Sequence, residues 1–153
     1  MPVGVFHSFN NPLFGKFAFY TGIVIGKTLL MSALTSRSRL TNKIFINPED
    51  AAKFGGKGTT VINADQRVER IRRCHQNDIE NVLPFVLIGL LYLVTDPDPW
   101  LATQLFRTFA LSRCLHTVCY LVPLPQPSRA MMCSIGWCVT AFMTVAVIRA
   151  GGI

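Results

Sequence analysis

Four stretches of the chain are dominated by apolar side chains, Leu13 to Leu34, Val82 to Val94, Trp100 to Val122 and Ala130 to Ile148, and polar segments separate them. Crossing about 30 Å of hydrocarbon takes roughly 20 helical residues at 1.5 Å each. The second run is too short for that, so its helix has to begin earlier and carry with it the charged stretch that leads from Arg70 to Glu80. Asp65 is suited to cap that helix, with Glu69 in its first turns. The pattern predicts helices over about 13–36, 66–95, 100–122 and 128–149. They are joined by a polar loop over 37–65, the turn Asp96-Pro97-Asp98-Pro99 and the stiff run Pro123-Leu124-Pro125-Gln126-Pro127. Asn47-Pro48-Glu49-Asp50 reads as a turn with a short helix start, and Pro84 as a bend in the second helix. Residues 1–12 read as an irregular lead-in and 54–60 as a flexible glycine-rich segment. Gly22 and Gly26 form a small-residue pair suited to close packing against another span.

Composition strengthens this reading. Half of the 153 residues are apolar and 15% are charged, against roughly 25% charged in soluble domains. Little polar sequence remains to cover so much apolar surface, which argues against a soluble helical bundle. The first run is interrupted by Lys16 and Lys27 and the third by Arg107, Arg113 and His116, and the three interruptions that lie deepest need a wet or protein-lined side to face. No basic region precedes the first apolar run, which is long enough to stay as an anchor, so a cleaved signal peptide is not expected. The net charge of +7 is concentrated in 37–73, whereas Asp96 and Asp98 carry the opposite turn. The positive-inside rule then puts the long loop and Arg129 in the cytosol and both termini on the far side, with Lys16 and Arg149 opposing weakly. The aromatic residues sit in the spans and do not interleave with the basic ones, which argues against nucleic-acid binding.

Three kinds of chemistry lack the pattern they need. Phe54 to Thr60 does not follow the order of a phosphate-binding loop. His75, Asp78 and His116 have no metal-ligand spacing, and no motif supports a serine nucleophile. Five cysteines (Cys74, Cys114, Cys119, Cys133, Cys138), all in or beside spans, do not read as a disulfide framework.

What remains is two polar stripes at helical spacing: Arg73, Asn77, Glu80 and Pro84 on the second helix, and Arg113, His116 and Tyr120 on the third. With Arg39 and Arg129 they can assemble a net-positive, partly dry pocket near the cytosolic ends of the spans. Such a pocket suits an anionic ligand and lowers a thiol's pKa. The same residues could instead pair with one another to hold the helices, or snorkel to head groups.

Several segments carry a family resemblance. They are Arg39-Leu40-Thr41 with Phe45 and Asn47 to Asp50; Val68 to Arg70, Arg73, His75, Asn77-Asp78 and Glu80-Asn81 to Pro84-Phe85; Gly89 to Tyr92; Pro97-Asp98-Pro99; Arg113, His116-Thr117 and Tyr120-Leu121; and Pro123 to Pro127 with Arg129-Ala130. Together they cover about residues 13–150 in unbroken order, and the chain resembles the MAPEG family, membrane-associated proteins in eicosanoid and glutathione metabolism, nearest its microsomal glutathione transferase branch.

The resemblance implies an all-α membrane protein, a bundle of four transmembrane helices forming one domain over 1–153. It also implies a homotrimer with glutathione bound between subunits toward the cytosol. It implies glutathione contacts from Arg39, Arg73, His75, Asn77, Glu80, Arg113, Tyr120 and Arg129, with Arg129, Arg113 and Tyr120 acting on the thiolate, and no metal. The implied activity is transfer of glutathione to hydrophobic electrophiles, extending to lipid hydroperoxide reduction. The implied membrane is that of the endoplasmic reticulum or the mitochondrial outer membrane. The alternatives are a glutathione-dependent prostaglandin H to E isomerase and a non-catalytic lipid-binding scaffold. The chain departs from the family in three places. Ala130 follows Arg129 where the isomerase branch has serine, Ala51 stands where mammalian transferases carry a thiol-sensitive cysteine, and Cys74 replaces an alanine before His75.

Overall fold

The computed structural model describes residues 11–56, 59, 61 and 65–152. The expectations for residues 1–10, and for Lys57, Gly58 and Thr60 in the glycine-rich segment, lie outside the described residues.

The first helix, α1, spans Pro12–Asn42. Asn11 caps it by accepting from the Leu13 N–H at 2.9 Å, and Pro12 takes the first position, where a missing N–H costs nothing. The helix ends at Asn42, beyond the expected Ser36. No glycine or proline interrupts Arg37 to Asn42, and Asn42 Nδ2 donates to the Ser38 carbonyl at 2.8 Å. The turn is closed by Lys43 in the left-handed conformation (φ 54°), its N–H bonded to Arg39 and Leu40 carbonyls. At 31 residues α1 is about 46 Å long, so its polar last turns extend past an apolar slab. The loss of apolar periodicity at residue 36 thus marks the end of the apolar stretch and not the end of the helix.

A short helix α2, Pro48–Asp50, continues into a π-helical turn over Ala51–Gly55. The next helix, α3, spans Gln66–Val94, with Asp65 accepting from Arg67 N–H at 2.9 Å and Val68 N–H at 3.2 Å. It passes through Pro84 without a break. Two further helices complete the chain: α4, Pro99–Leu121, capped by Asp98 on Leu101 N–H at 2.7 Å, and α5, Ser128–Ala150.

The four long helices pack side by side, α1 against α3 and α4, and α5 against α3 and α4. Three of them, α1, α3 and α5, are long and apolar enough to cross a membrane. Leu29, Leu83, Leu87, Trp100 and Trp137 are exposed on the outer faces, where hydrocarbon costs them nothing. The chain is an all-α membrane protein.

One layer of the interior is aromatic. Phe85 stacks on Phe109 at 3.7 Å between ring centroids, and Phe17 meets Phe106 edge-on at 5.1 Å. Gly89 leaves room for the Phe17 ring, and Gly136 lets α5 approach Ser112 and Arg113. At these two glycines the long helices of this chain approach one another closely. Gly22 and Gly26 are exposed and have no neighbour within this chain where a side chain would project.

Candidate functional site

The inward face of α3 is set by Cys74, Asp78, Val82, Phe85 and Gly89, all buried and spaced at 4, 4, 3 and 4 residues. Four of these positions take small or apolar residues; the fifth places a carboxylate wholly inside the protein. Asp78 Oδ1 accepts from Lys27 Nζ of α1 at 2.6 Å and from Arg113 Nη2 of α4 at 2.8 Å. Isolated charges cannot be held there, so each partner makes the others tolerable. Lys27 also donates to Thr117 Oγ1 at 2.8 Å, and Thr117 donates onward to the Arg113 carbonyl at 3.2 Å. Cys74 Sγ lies 3.8 Å from the same hydroxyl.

From Arg113 the polar contacts continue toward α5. Its Nη2 donates to Asn77 Oδ1 at 2.7 Å and meets His116 Nδ1 at 3.3 Å. Since a guanidinium only donates, Nδ1 is the acceptor. The His116 ring lies 5.6 Å from that of Tyr120, and the Arg129 guanidinium sits 4.9 Å above the Tyr120 ring, a cation–π distance. Cys133, one turn beyond Arg129 on α5, lies 3.9 Å from Asn77 Nδ2. Several buried polar atoms have no hydrogen-bond partner among the described residues: Arg113 Nε and Nη1, Asp78 Oδ2, Arg129 Nε and Arg39 Nε. The guanidinium nitrogens among them are unpaired donors closed off from solvent in the single chain, the kind of group that calls for a partner.

The chain therefore brings together Asn77, Arg113, His116, Tyr120 and Arg129. It does not bring Arg39, Arg73, His75 or Glu80 into that group. Arg73 and Glu80 are exposed, Glu80 accepting from Gln76 Nε2 at 3.3 Å on its own helix. Arg73 lines an open cleft of about 520 Å³ with Arg67, Arg70, Ile71, Leu121 and Pro123. Both Arg39 and Arg73 lie within electrostatic reach of Glu69, and His75 is half-buried. The stripe Arg73, Asn77, Glu80, Pro84 thus does not face the neighbouring helices of its own chain, apart from half-buried Asn77. The face that does so is displaced by one residue, because Val82, Phe85 and Gly89 set the inward direction and Cys74 and Asp78 share it. The sequence shows Lys27 only as an interruption of an apolar run and Asp78 only as a metal candidate without the spacing, and nothing in it pairs the two. The detectable signal was that Asp78 falls in phase with Val82, Phe85 and Gly89.

Of the five interruptions in the apolar runs, Lys27, Arg113 and His116 are lined by protein, while Lys16 and Arg107 are exposed, Arg107 bonding Gln104 on its own helix. All five cysteines are free.

A membrane bundle with a cationic, partly unpaired polar cluster in its interior is the class that fold and site define. Residues 17–149 match the MAPEG family, and the chain belongs to that family. It is 46% identical over 143 residues to microsomal glutathione S-transferase 1 of Homo sapiens, covering 92% of each chain. The Bos taurus protein of the same name is 48% identical over 142 residues, covering 91% of each. Prostaglandin E synthase of Canis lupus familiaris is 32% identical over 148 residues, covering 97% of this chain and 95% of its own.

Proposed function

We propose that this chain is a membrane-bound glutathione transferase that joins glutathione to hydrophobic electrophiles. The observation that carries the reading is the 46–48% identity, over nine-tenths of both chains, to proteins named for that activity. The identity to prostaglandin E synthase is lower, and Ala130 after Arg129 puts the isomerase reading second. A scaffold has no need of buried, unpaired guanidinium groups.

In this reading all four long helices cross the membrane, α4 with its ionic residues turned inward, and residues 1–153 form one domain. The long loop faces the cytosol, and the protein resides in the endoplasmic reticulum or mitochondrial outer membrane. Three copies assemble. Arg73 and Glu80, exposed on the single chain, face a second copy, so that glutathione lies between subunits. Arg39, Arg73, His75, Asn77, Glu80, Arg113, Tyr120 and Arg129 hold it, with guanidinium groups on its carboxylates and Glu80 near its amine.

Arg129 acts on the sulfur. Its charge, with Tyr120 and Arg113 beside it, favours the thiolate over the thiol, and each pKa unit of depression corresponds to about 1.4 kcal/mol. The thiolate attacks an electrophilic carbon of a substrate dissolved in the bilayer; a C–S bond forms and the leaving group departs with the bonding pair. With a lipid hydroperoxide, two glutathiones give the disulfide, the lipid alcohol and water.

Purified protein in proteoliposomes tests the proposal. Added glutathione should produce thiolate absorbance near neutral pH, and an apolar aryl halide should be conjugated. Failure of both, with the helices folded and the oligomer intact, would remove the transferase reading.

A further inference from the structure

Lys27 and Asp78 are the two ionic residues of the buried Lys27–Asp78–Arg113 cluster that the proposed glutathione site does not employ. On α1 Lys27 is half-way along a helix whose other inward positions, Phe17, Val24 and Met31, are apolar. A lysine in such a place is costly unless something requires its charge.

Charge counting shows what requires it. Arg113 and Asp78 alone would form a neutral buried pair, with both charges spent on each other. Lys27 Nζ reaches the same Oδ1 atom at 2.6 Å, against 2.8 Å for Arg113 Nη2. One carboxylate is therefore shared by two cations, and the cluster carries a net charge of +1. The surplus is not dissipated by other partners. The groups facing the cluster are Cys74, Asn77 and Thr117, which are uncharged, and His116, which accepts from Arg113 through Nδ1; beyond Tyr120 the next charge is Arg129, also positive. Arg113 meanwhile keeps Nε and Nη1 without partners. Its position is fixed by two acceptors on α3, and its remaining donors are uncommitted.

We infer that Lys27 and Asp78 are positioning residues for glutathione binding: Asp78 fixes the Arg113 guanidinium, and Lys27 offsets the Asp78 charge so that Arg113 stays effectively cationic toward an anionic ligand. The inference rests on the transferase reading given above. It accounts for three features together: a lysine in mid-span, a carboxylate with no solvent contact, and an arginine whose donors are only partly used.

Two variants test it, Lys27→Met and the double variant Lys27→Met with Asp78→Asn. The first reduces the net charge of the cluster to zero. The second returns it to +1, while the amide oxygen at position 78 can still accept from Arg113. A charge-assisted contact from Arg113 that is weakened by neutralisation of the cluster predicts a rise of about tenfold in KM for glutathione in Lys27→Met, with kcat changed by less than about threefold. The double variant should recover a KM within about threefold of wild type. The opposite pattern contradicts the inference: KM unchanged in Lys27→Met, or a fall confined to kcat and to the fraction of intact oligomer, either of which describes a lysine that only ties helices together. If Lys27→Met does not fold, Lys27→Gln takes its place, since the amide can still donate to Asp78 but carries no charge: a KM for glutathione raised about tenfold supports the inference, and an unchanged KM in the folded protein overturns it. Wild-type protein measured in parallel separates the two levels, since absence of glutathione turnover there refutes the transferase reading, whereas turnover with an unresponsive Lys27→Met refutes this inference alone.

Discussion

Phe85 and Asp78 lie two turns apart on the same inward face of α3, and their surroundings differ in kind. Phe85 is held by shape: it stacks on Phe109, and Phe17 and Phe106 meet it at wider angles. Asp78 is held by charge, with one cation from α1 and one from α4. In a bilayer the first arrangement is weakly driven, since lipid tails are as apolar as phenylalanine and only packing distinguishes the bundle from lipid. The second is strongly specified, because no place other than this one satisfies Asp78. The aromatic layer can slide or repack at modest cost. The ionic layer fixes the register of three helices and leaves uncommitted donors beside it, so stability and function meet there.

Removing the carboxylate breaks this contrast most severely. Asp78→Ala leaves Lys27 and Arg113 facing each other inside the protein, and removing one partner of a buried ion pair costs about 3–5 kcal/mol. Unfolding in mixed micelles should show a loss of that order, with most of the protein failing to assemble. Gly89→Leu attacks the aromatic layer instead. Its side chain would occupy the space of the Phe17 ring, and overpacking of this kind costs about 1–3 kcal/mol. Glutathione turnover per folded oligomer should change little, because the ionic layer two to three turns away is untouched. Equal loss of specific activity in the two variants would erase the distinction between the layers.

The smallest effect is expected at the start of α3. Hydrogen bonding from the Arg67 side chain, and then from the Val68 N–H, holds the Asp65 carboxyl below its ordinary value of 3.8. A carboxyl depressed on folding stabilises fully above its unfolded pKa and loses that contribution as pH falls through the folded one. Exchange protection in the first turn of α3, relative to the unstructured rate at the same pH, should therefore fall only below about pH 4, leaving the ionic layer unaffected. Low protection already at neutral pH would show that the cap does not hold that turn.

The sequence showed most of this architecture where the cause was local. Asp65 before an amphipathic run is a capping signal that acts within a few residues and the start of α3 follows it, while the starts of α4 and α5 follow the proline-bearing turns before them. Arg113, His116 and Tyr120 could be grouped because their spacing alone puts them on one face. The end of α1 was misjudged because hydropathy reports the edge of the membrane, whereas a helix stops where backbone geometry changes, here at Lys43. The Lys27 to Asp78 contact was not legible, since it depends on the register between two helices 51 positions apart in sequence. Read singly, each residue was an interruption or a weak metal candidate; only the packed bundle makes them partners.

The central claim is that a cationic site in this bundle holds glutathione as its thiolate, with Arg129 nearest the sulfur. The most direct test is the pH dependence of thiolate absorbance and conjugation rate in wild type and Arg129→Leu. Glutathione should still bind to the variant, because Arg39, Arg73 and Arg113 remain for its carboxylates. Its thiol pKa should move up toward the unassisted value of about 8.5, so the rate falls most at neutral pH and part of it returns in alkali. An identical thiol pKa in both proteins, with glutathione bound and the oligomer intact, would contradict the account.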